Sequence, residues 1–307
     1  MTMPNFFIVG AQKAGTTSLY HYLNQHPQVY MSPIKEPFFF DHELSAGGQV
    51  VRREFGGRRQ PPRFANIEEY SALFEGVGDE KAIGEATPLY IYAPGTPERI
   101  EKYVPGARSI ALLRHPADRA YSAFLYAVRI GVEPLTDFAQ ALRAEPLRVR
   151  KGWHYVFHYR SRGLYYQQLK RYYEVFGRER LGVWLYEDLR EDPASVTRGV
   201  FRFLEVDDTF APDTSSKHNP AGVPASVPAR AAMRATDRAV GGLRKVLTPT
   251  SGILPLAFEV RRAVQSRVLT APPPIDQEVR EELIEGYRED ILRLQELLGR
   301  DLSTWLR

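Results

Sequence analysis

The arrangement in this sequence best suited to chemistry is a lysine held between two glycines and followed by hydroxyl side chains. Lys13 lies between Gly10 and Gly15, and residues 16–18 are Thr-Thr-Ser. Glycine lets the backbone turn tightly, and a helix that begins after such a turn offers an anion its unpaired N–H groups and the positive end of its dipole. The sequence therefore predicts a phosphate-binding loop to which Lys13 adds a full positive charge.

The segments on either side of this loop have the patterns of a strand and a helix. Residues 6–9 are apolar and partly β-branched, and Leu19, Tyr22 and Leu23 recur at helical spacing. We expect a strand over 6–10 and a helix over 16–25, capped by the hydroxyl side chains at its start. The residues predicted to hold the anion are Lys13, Ala14, Gly15, Thr16, Thr17 and Ser18.

The loop is close to the Walker pattern G-x-x-x-x-G-K-[ST] but differs from it in the position of the lysine. Lys13 precedes Gly15, and Thr16 stands where the Walker lysine would be. In a P-loop NTPase, the aspartate that helps to hold Mg²⁺ lies at the end of a second strand. Here the second strongly apolar strand, SIALLR at 109–114, ends in Arg114. A cation at that position predicts a second anionic group on the ligand and no metal.

A serine beyond Arg114 completes the predicted site for the second anion. Pro116 marks the start of a helix, and Ser122 follows Arg114 by eight residues, which places it about two turns along. Its hydroxyl could point back to the same region if the helix packs across the ligand. The loop and Arg114 are therefore predicted to hold two separate phosphates of one nucleotide.

These motifs resemble those of sulfotransferases that use 3′-phosphoadenosine 5′-phosphosulfate (PAPS). QKAGTTSL at 12–19 resembles the family's 5′-phosphosulfate loop, and LLRHPADRAYSAF at 112–124 resembles its 3′-phosphate motif. KEPFFFD at 35–41, GEATPLYIYAPGTPERI at 84–100 and the tail at 287–306 are similar to the branch that includes heparan sulfate N- and O-sulfotransferases. The resemblance implies PAPS as co-substrate, PAP as product, and transfer of a sulfuryl group to a hydroxyl or amine of a carbohydrate, lipid or small natural product.

The resemblance also implies roles for individual residues. Lys13 and its loop would hold the 5′-phosphosulfate and stabilise the leaving phosphate during in-line transfer, whereas Arg114 and Ser122 would bind the 3′-phosphate. Glu36 lies in the segment that resembles the one carrying the family's catalytic glutamate, and it is the candidate general base. Its aromatic neighbours at 38–40 could shield the carboxyl from water.

Some positions differ from the heparan-type branch. Thr17 and Ala86 stand where glycosaminoglycan O-sulfotransferases often have basic residues, which weakens the case for heparan sulfate itself as acceptor. Thr17 is similar instead to the N-sulfotransferase form of the loop. Glu85 could organise the site by hydrogen bonding or serve as a structural acid. Lys217 lies where the family brings a lysine back over the nucleotide.

Strand and helix patterns alternate along the chain. Strands are predicted at 6–10, 82–85, 109–114 and 181–186, and helices at 16–25, 97–103, 118–131, 136–144, 163–176, after Asp192 and in the tail. Such alternation is typical of an α/β fold with a mostly parallel central sheet flanked by helices on both faces. We expect one P-loop-like sulfotransferase domain over 1–307, with 41–65 and 220–275 as lid or acceptor-side insertions.

The composition limits the class of protein and its expected location. Of the 307 residues 43% are apolar, and the absence of cysteine excludes disulfides and thiolate metal sites. No apolar stretch approaches the ~20 residues that span a bilayer, and the N-terminus lacks a signal-peptide pattern. We therefore expect a soluble, cytoplasmic, bacterial-type enzyme that needs no metal.

The net charge of +4 is concentrated in one region. Residues 225–275 contain eight basic and two acidic residues. This segment could be an ordinary solvated surface, could face an acidic acceptor, or could contact a membrane through the amphipathic stretch 252–269. Nucleic acid is not indicated, because no recognised nucleic-acid module is present.

Two functions of other classes stay open on the residues alone. A P-loop kinase or NTPase would use the same loop glycines but would depend on Mg²⁺. A non-catalytic binder would use the basic segment 225–275 to hold an acidic polymer or a membrane. The loops expected to select an acceptor, 41–65, 145–160 and 220–275, carry no motif.

Overall fold

Five parallel strands form the sheet that carries the candidate site. In this computed structural model the strands run β1 (Phe6–Gly10), β2 (Val29–Met31), β3 (Ala82–Ala86), β4 (Arg108–Leu113) and β5 (Leu181–Leu185). Their order across the sheet is β2-β3-β1-β4-β5, and every neighbouring pair is parallel. The prediction of an α/β fold with a parallel sheet is confirmed.

The structure describes residues 1–44, 63–215 and 269–307, with a few isolated residue pairs between them. Most of the predicted insertions at 41–65 and 220–275 lie outside the described residues. Among the described residues, three pairs of two-residue strands lie outside this sheet: Glu43–Leu44 with Val50–Val51, Glu54–Phe55 with Arg58–Arg59, and Val223–Pro224 with Leu269–Thr270.

Helices lie between the strands of the sheet and continue after its last strand. They are α1 (Thr16–Leu23), α2 (Ile67–Ser71), α3 (Thr96–Tyr103), α4 (Pro116–Arg129), α5 (Phe138–Arg150), α6 (Tyr165–Phe176), α7 (Tyr186–Glu191), α8 (Pro193–Phe203) and α9 (Gln277–Leu298). Short 3₁₀ helices cover Ala72–Phe74, Tyr155–Phe157, Ser161–Gly163 and Ser303–Leu306. Among the residues described, no helix is both long and apolar enough to cross a membrane.

The residues of β1 suit its position in the middle of the sheet. Phe6, Phe7, Ile8 and Val9 are fully buried, as expected for a strand covered on both faces. Phe6 pairs in register with Gly84 of β3, and a Cβ at Gly84 would lie 2.1 Å from the Phe6 ring. Glycine at 84 therefore makes room for the aromatic side chain of the neighbouring strand.

Several elements differ from the sequence prediction, and two of them show why. Strand β2 follows His26-Pro27, where only a loop was expected, because a three-residue strand is too short to show a period. Helix α5 continues through Pro146 to Arg150, whereas the pattern predicted an end at 144. Both differences depend on packing against other elements, which a local pattern does not contain.

Parallel strands bring their carboxyl ends to one edge of the sheet, and this edge collects the candidate residues. The loop 11–15 follows β1, residues 32–36 follow β2, and Arg114 follows β4. Since β1 lies between β3 and β4, the phosphate loop and Arg114 come together. The site is therefore a direct result of strand order.

Candidate anion-binding and transfer site

The loop between β1 and α1 leaves the start of the helix open. Lys13 and Gly15 both have left-handed backbone, with φ of +73° and +89°. Gly15 is the N-cap residue, and no side chain caps the helix. The first intrahelical bond is donated by the Leu19 N–H to the Gly15 carbonyl at 3.1 Å, so the N–H groups of residues 16–18 precede it. They are available to an anion.

The expectation that the hydroxyl side chains at 16–18 cap α1 is wrong. Thr16, Thr17 and Ser18 lie inside the first turn, and Gly15 occupies the capping position. A Cβ at Gly15 would lie 3.0 Å from side-chain atoms of Tyr186 and Leu189. The glycine is therefore required both by its positive φ and by the close approach of α7.

Lys13 and Arg114 are adjacent in space although they are far apart in sequence. One guanidinium nitrogen of Arg114 donates to the Lys13 carbonyl oxygen at 3.2 Å, and the guanidinium lies 4.8 Å from the centre of the Tyr186 ring. The Arg114 carbonyl accepts a hydrogen bond from the Tyr165 hydroxyl at 3.0 Å. The structure thus places the two predicted anion-binding cations at one edge of the sheet.

The amine of Lys13 lies in a positively charged environment. Its nitrogen is 4.9 Å from the centre of the Tyr126 ring, and the Arg129 guanidinium is 5.3 Å from the same ring. Burial lowers the pKa of Lys13 to about 8, and the charges of Arg129 and Arg114 contribute, while Glu36 opposes the shift. Several cations held this close together favour the binding of an anion.

Ser122 is placed on the face of α4 that turns toward Lys13. Its side chain is partly exposed, and Tyr126, one turn later, shares that face because residues four apart lie above one another on a helix. Since the Tyr126 ring contacts the Lys13 amine, the Ser122 face borders the loop. That Ser122 points its hydroxyl at a bound phosphate stays a prediction.

Glu36 lies close to Lys13, but its environment differs from the expected one. Its carboxylate pairs with Lys35 at 2.8 Å, and its side chain remains 35% exposed. Phe39 and Phe40 are buried in the core, where Phe39 stacks on Tyr70. For Phe39 and Phe40 the prediction of a shield over the Glu36 carboxyl is wrong, because both rings pack in the sheet core.

Arg162 lies against the phosphate loop, although the sequence did not predict it. It is 5% exposed, and it donates to the Gln12 side-chain oxygen at 2.8 Å. Burial, followed by the charge of Arg119, lowers its pKa to about 9, and the negative charge of Glu36 acts in the opposite direction. Arg162 therefore links the phosphate loop to the surroundings of Glu36. Its segment, SRGLY, contains no pattern from which this could be read.

Other predicted features fall elsewhere. Lys217 and residues 252–268 lie outside the described residues. Within the described part of the chain, no group of three or more histidine, cysteine, aspartate or glutamate side chains could hold a metal ion. His115 is buried and occupies the N-cap position of α4, where its N–H donates to Glu187 at 3.0 Å. This contact gives His115 a structural role at the start of α4.

A parallel sheet whose first loop offers N–H groups and a lysine to an anion defines a P-loop-like α/β protein. A family model described as "Sulfotransferase family" matches residues 4–210. The chain belongs to the sulfotransferase family, which confirms the resemblance seen in its motifs.

Individual relatives are consistent with this membership. The chain is 33% identical to the membrane-associated sulfotransferase kil1 of Dictyostelium discoideum over 129 residues, which are 42% of this chain and 24% of that protein. It is 24% identical to bifunctional heparan sulfate N-deacetylase/N-sulfotransferase 4 of Mus musculus over 325 residues, covering 99% of this chain and 31% of that protein. The chain thus spans less than a third of the length of these curated relatives.

A solved structure matches over the full length. The sulfotransferase from Alicyclobacillus acidocaldarius is 33% identical to this chain with a TM-score of 0.70, and the match covers 100% of both chains. The sheet and the loop described above therefore belong to a fold already observed in a sulfotransferase.

Proposed function

We propose that this protein transfers the sulfuryl group of PAPS to a hydroxyl or amine of a carbohydrate, lipid or small natural product. The observation that carries the proposal is the contact between Arg114 and the Lys13 loop. The Arg114 guanidinium touches the backbone of the loop that carries Lys13, and its charge acts on the Lys13 amine, which supports one cation for each end of a nucleotide that has phosphate groups at two positions. Membership of the sulfotransferase family supports the same nucleotide.

Each residue has a separate task in this proposal. PAPS supplies the sulfuryl group, and its 5′ side is held by Lys13 and by the backbone of Ala14, Gly15, Thr16, Thr17 and Ser18. Arg114 and Ser122 hold the 3′-phosphate. As the acceptor attacks sulfur, Glu36 takes its proton and Lys13 stabilises the negative charge that develops on the leaving phosphate. Lys217 is proposed as a further contact to the nucleotide.

The environment of Lys13 supports this division of labour. Its amine is surrounded by Arg129 and Arg114, so a bound phosphosulfate relieves repulsion between the cations. Glu36 is near enough to affect the pKa of both Lys13 and Arg162, which supports its role as the carboxylate beside the proposed transfer point. Proton acceptor and leaving-group stabiliser are thus neighbours.

Thermal unfolding in the presence of PAP, ADP and ATP, each with and without Mg²⁺, tests the proposal. A ligand at about 100 times its Kd adds ~2.7 kcal/mol to the free energy of unfolding. We expect PAP to stabilise the protein without Mg²⁺ and far more than ADP does. If ATP stabilised the protein only when Mg²⁺ was present, and PAP did not stabilise it at all, the protein would be a kinase or NTPase instead. Binding of an acidic polymer or liposomes without any effect of PAP would identify a non-catalytic binder.

The class of acceptor is then tested by measuring the rate at which PAP is released from PAPS in the presence of each candidate acceptor. A chitosan tetrasaccharide, dodecanol and 4-nitrophenol represent amino sugars, lipids and phenols. The acceptor of this panel with the highest turnover serves as the probe acceptor in the experiments below.

Replacement of Arg114 by alanine is expected to weaken PAP binding by about 10- to 100-fold, since a hydrogen bond to a charged group contributes ~1.5–3 kcal/mol. ADP, which has no 3′-phosphate, should lose much less affinity. Isothermal titration with both nucleotides measures the difference, and Ser122→Ala should show the same selectivity with a smaller loss. Equal losses for PAP and ADP would remove Arg114 from the 3′-phosphate site.

A further inference from the structure

A fully buried carboxyl group lies behind the segment that carries Glu36. Glu85, near the end of β3, has no exposed surface. It accepts hydrogen bonds from the Thr87 hydroxyl at 2.7 Å and the Tyr70 hydroxyl at 3.2 Å, and the Tyr90 hydroxyl is a third partner. Burial raises the pKa of Glu85 to about 7. Burying an ionised carboxylate costs free energy unless its oxygens are hydrogen-bonded. The three hydroxyl partners of Glu85 offset that cost.

The Tyr90 hydroxyl connects Glu85 to the backbone of the Glu36 segment. Its oxygen accepts the N–H groups of Phe39 and Phe40, each at 3.0 Å. A phenolic hydroxyl has two acceptor positions and one proton. Because two N–H groups occupy the acceptor positions, the proton is free to go to the Glu85 carboxylate. Glu85 therefore fixes the orientation of the hydroxyl that holds the two amides.

The segment held in this way has a backbone that needs external support. Glu36 and Phe38 have φ of +59° and +56°, a region that non-glycine residues rarely adopt. The Glu36 N–H donates to the Ala86 carbonyl at 2.9 Å, next to Glu85 in β3. Phe39 stacks on Tyr70 at 4.5 Å between ring centres, and the hydroxyl of that same Tyr70 also donates to Glu85.

These contacts form one continuous path from Glu85 to Glu36. Around Glu85 burial removes competition from water, since Tyr70, Tyr90 and Phe40 have no exposed surface. A hydrogen bond in such surroundings is stronger than one in water, and a missing partner costs more. The hydrogen bonds of Glu85 and Tyr90 thus reach the backbone of residues 39 and 40.

We propose that Glu85 and Tyr90 are positioning residues that hold segment 36–40 in its left-handed conformation and so aim the Glu36 carboxylate at the transfer site. The inference rests on the proposed function, in which Glu36 takes the proton of the acceptor. Neither Glu85 nor Tyr90 contacts the substrates in this scheme. Their effect is on the turnover rate and not on nucleotide binding.

Tyr90→Phe is the direct test, because it removes the hydroxyl and keeps the ring. We expect kcat with the probe acceptor to fall about 10- to 100-fold, as misplacement of a reacting group by ~1 Å can cause. The Kd of PAP and the KM for PAPS should stay within about twofold of wild type, since the Lys13 loop is untouched. Hydrogen exchange of the Phe39 and Phe40 amides should become faster.

Tyr172→Phe is the matched control. Tyr172 is as deeply buried as Tyr90, but within the described residues its hydroxyl has no hydrogen-bond partner. Its loss should leave kcat, PAP binding and amide exchange of residues 36–40 unchanged. Glu85→Gln is a second variant that keeps the side-chain volume. It should show the same faster amide exchange and lower kcat, and it serves as the test if Tyr90→Phe does not fold.

The outcomes separate this inference from the proposed function. Wild-type exchange of the Phe39 and Phe40 amides in Tyr90→Phe and Glu85→Gln would overturn the positioning role, as would PAP affinity that falls in step with kcat. Wild-type kcat in both variants would also overturn it. If Glu36→Gln kept full activity, the assignment of the proton acceptor would fail, independently of what the Tyr90 variant shows.

Discussion

Lys13→Met is expected to lower the rate of sulfuryl transfer by about 10²- to 10³-fold or more, the range found when one donor to a developing oxyanion is removed. The lysine supplies a full charge where the leaving phosphate becomes more negative. Methionine keeps most of the side-chain volume and its contact with the Tyr126 ring. Initial rates of PAP release from PAPS, with the probe acceptor at saturation, measure the loss.

Lys102→Met is a suitable control for this prediction. Lys102 also lies over a tyrosine ring, with its amine 5.1 Å from the centre of Tyr103, but it belongs to α3 and is exposed. The control should retain wild-type turnover. If Lys13→Met turned over at the wild-type rate, Lys13 would have no role in stabilising the leaving group.

The pKa of Lys13 adds a pH dependence with a definite sign. With a pKa of about 8 in the free protein, the amine is charged below pH 8 and becomes neutral as the pH rises through that value. Its attraction to PAP is thus present at neutral pH and lost above pH 8. Titration calorimetry from pH 6.5 to 9.5 should show PAP affinity decreasing over the upper part of this range in the wild type but not in Lys13→Met.

Glu36→Gln is expected to reduce turnover by about 10²- to 10⁴-fold, the range that general base catalysis contributes. An amide of the same size cannot take the proton of the acceptor. The Kd of PAP should stay nearly unchanged or become slightly lower, because the substitution removes a negative charge beside Lys13 and Arg162. Single-turnover rates with the probe acceptor and PAP titrations measure the two quantities separately.

The control for Glu36 is another glutamate with a similar exposure and a similar ion-pair distance. Glu101 is 34% exposed and pairs with Arg180 at 2.7 Å, compared with 35% and 2.8 Å for Glu36 and Lys35. Glu101→Gln should therefore behave as wild type. Near-normal turnover in both Glu36→Gln and Glu36→Ala would show that Glu36 is only a surface acid paired with Lys35.

The sequence was sufficient to predict an element or a site residue wherever the pattern that defines it is local. The apolar run at 6–9, the loop around Lys13 and the helical spacing after it predicted β1 and α1, and the structure confirms β1 to the residue. The same patterns predicted a strand that leads directly to Arg114 and a helix that carries Ser122. The carboxyl ends of parallel strands lie along one edge of the sheet. The prediction of a parallel α/β fold was therefore enough to place Lys13 and Arg114 at the same edge.

Contacts between distant segments were decided only by the tertiary structure. Arg162 meets Gln12 across 150 positions of sequence, and no spacing rule connects them. The run at 38–40 looked like a shield for Glu36, yet Phe39 and Phe40 turn into the core because Tyr70 and Tyr90 offer ring contacts and hydrogen bonds there. Periodicity reports which residues are apolar, whereas burial and partner choice depend on which elements pack together.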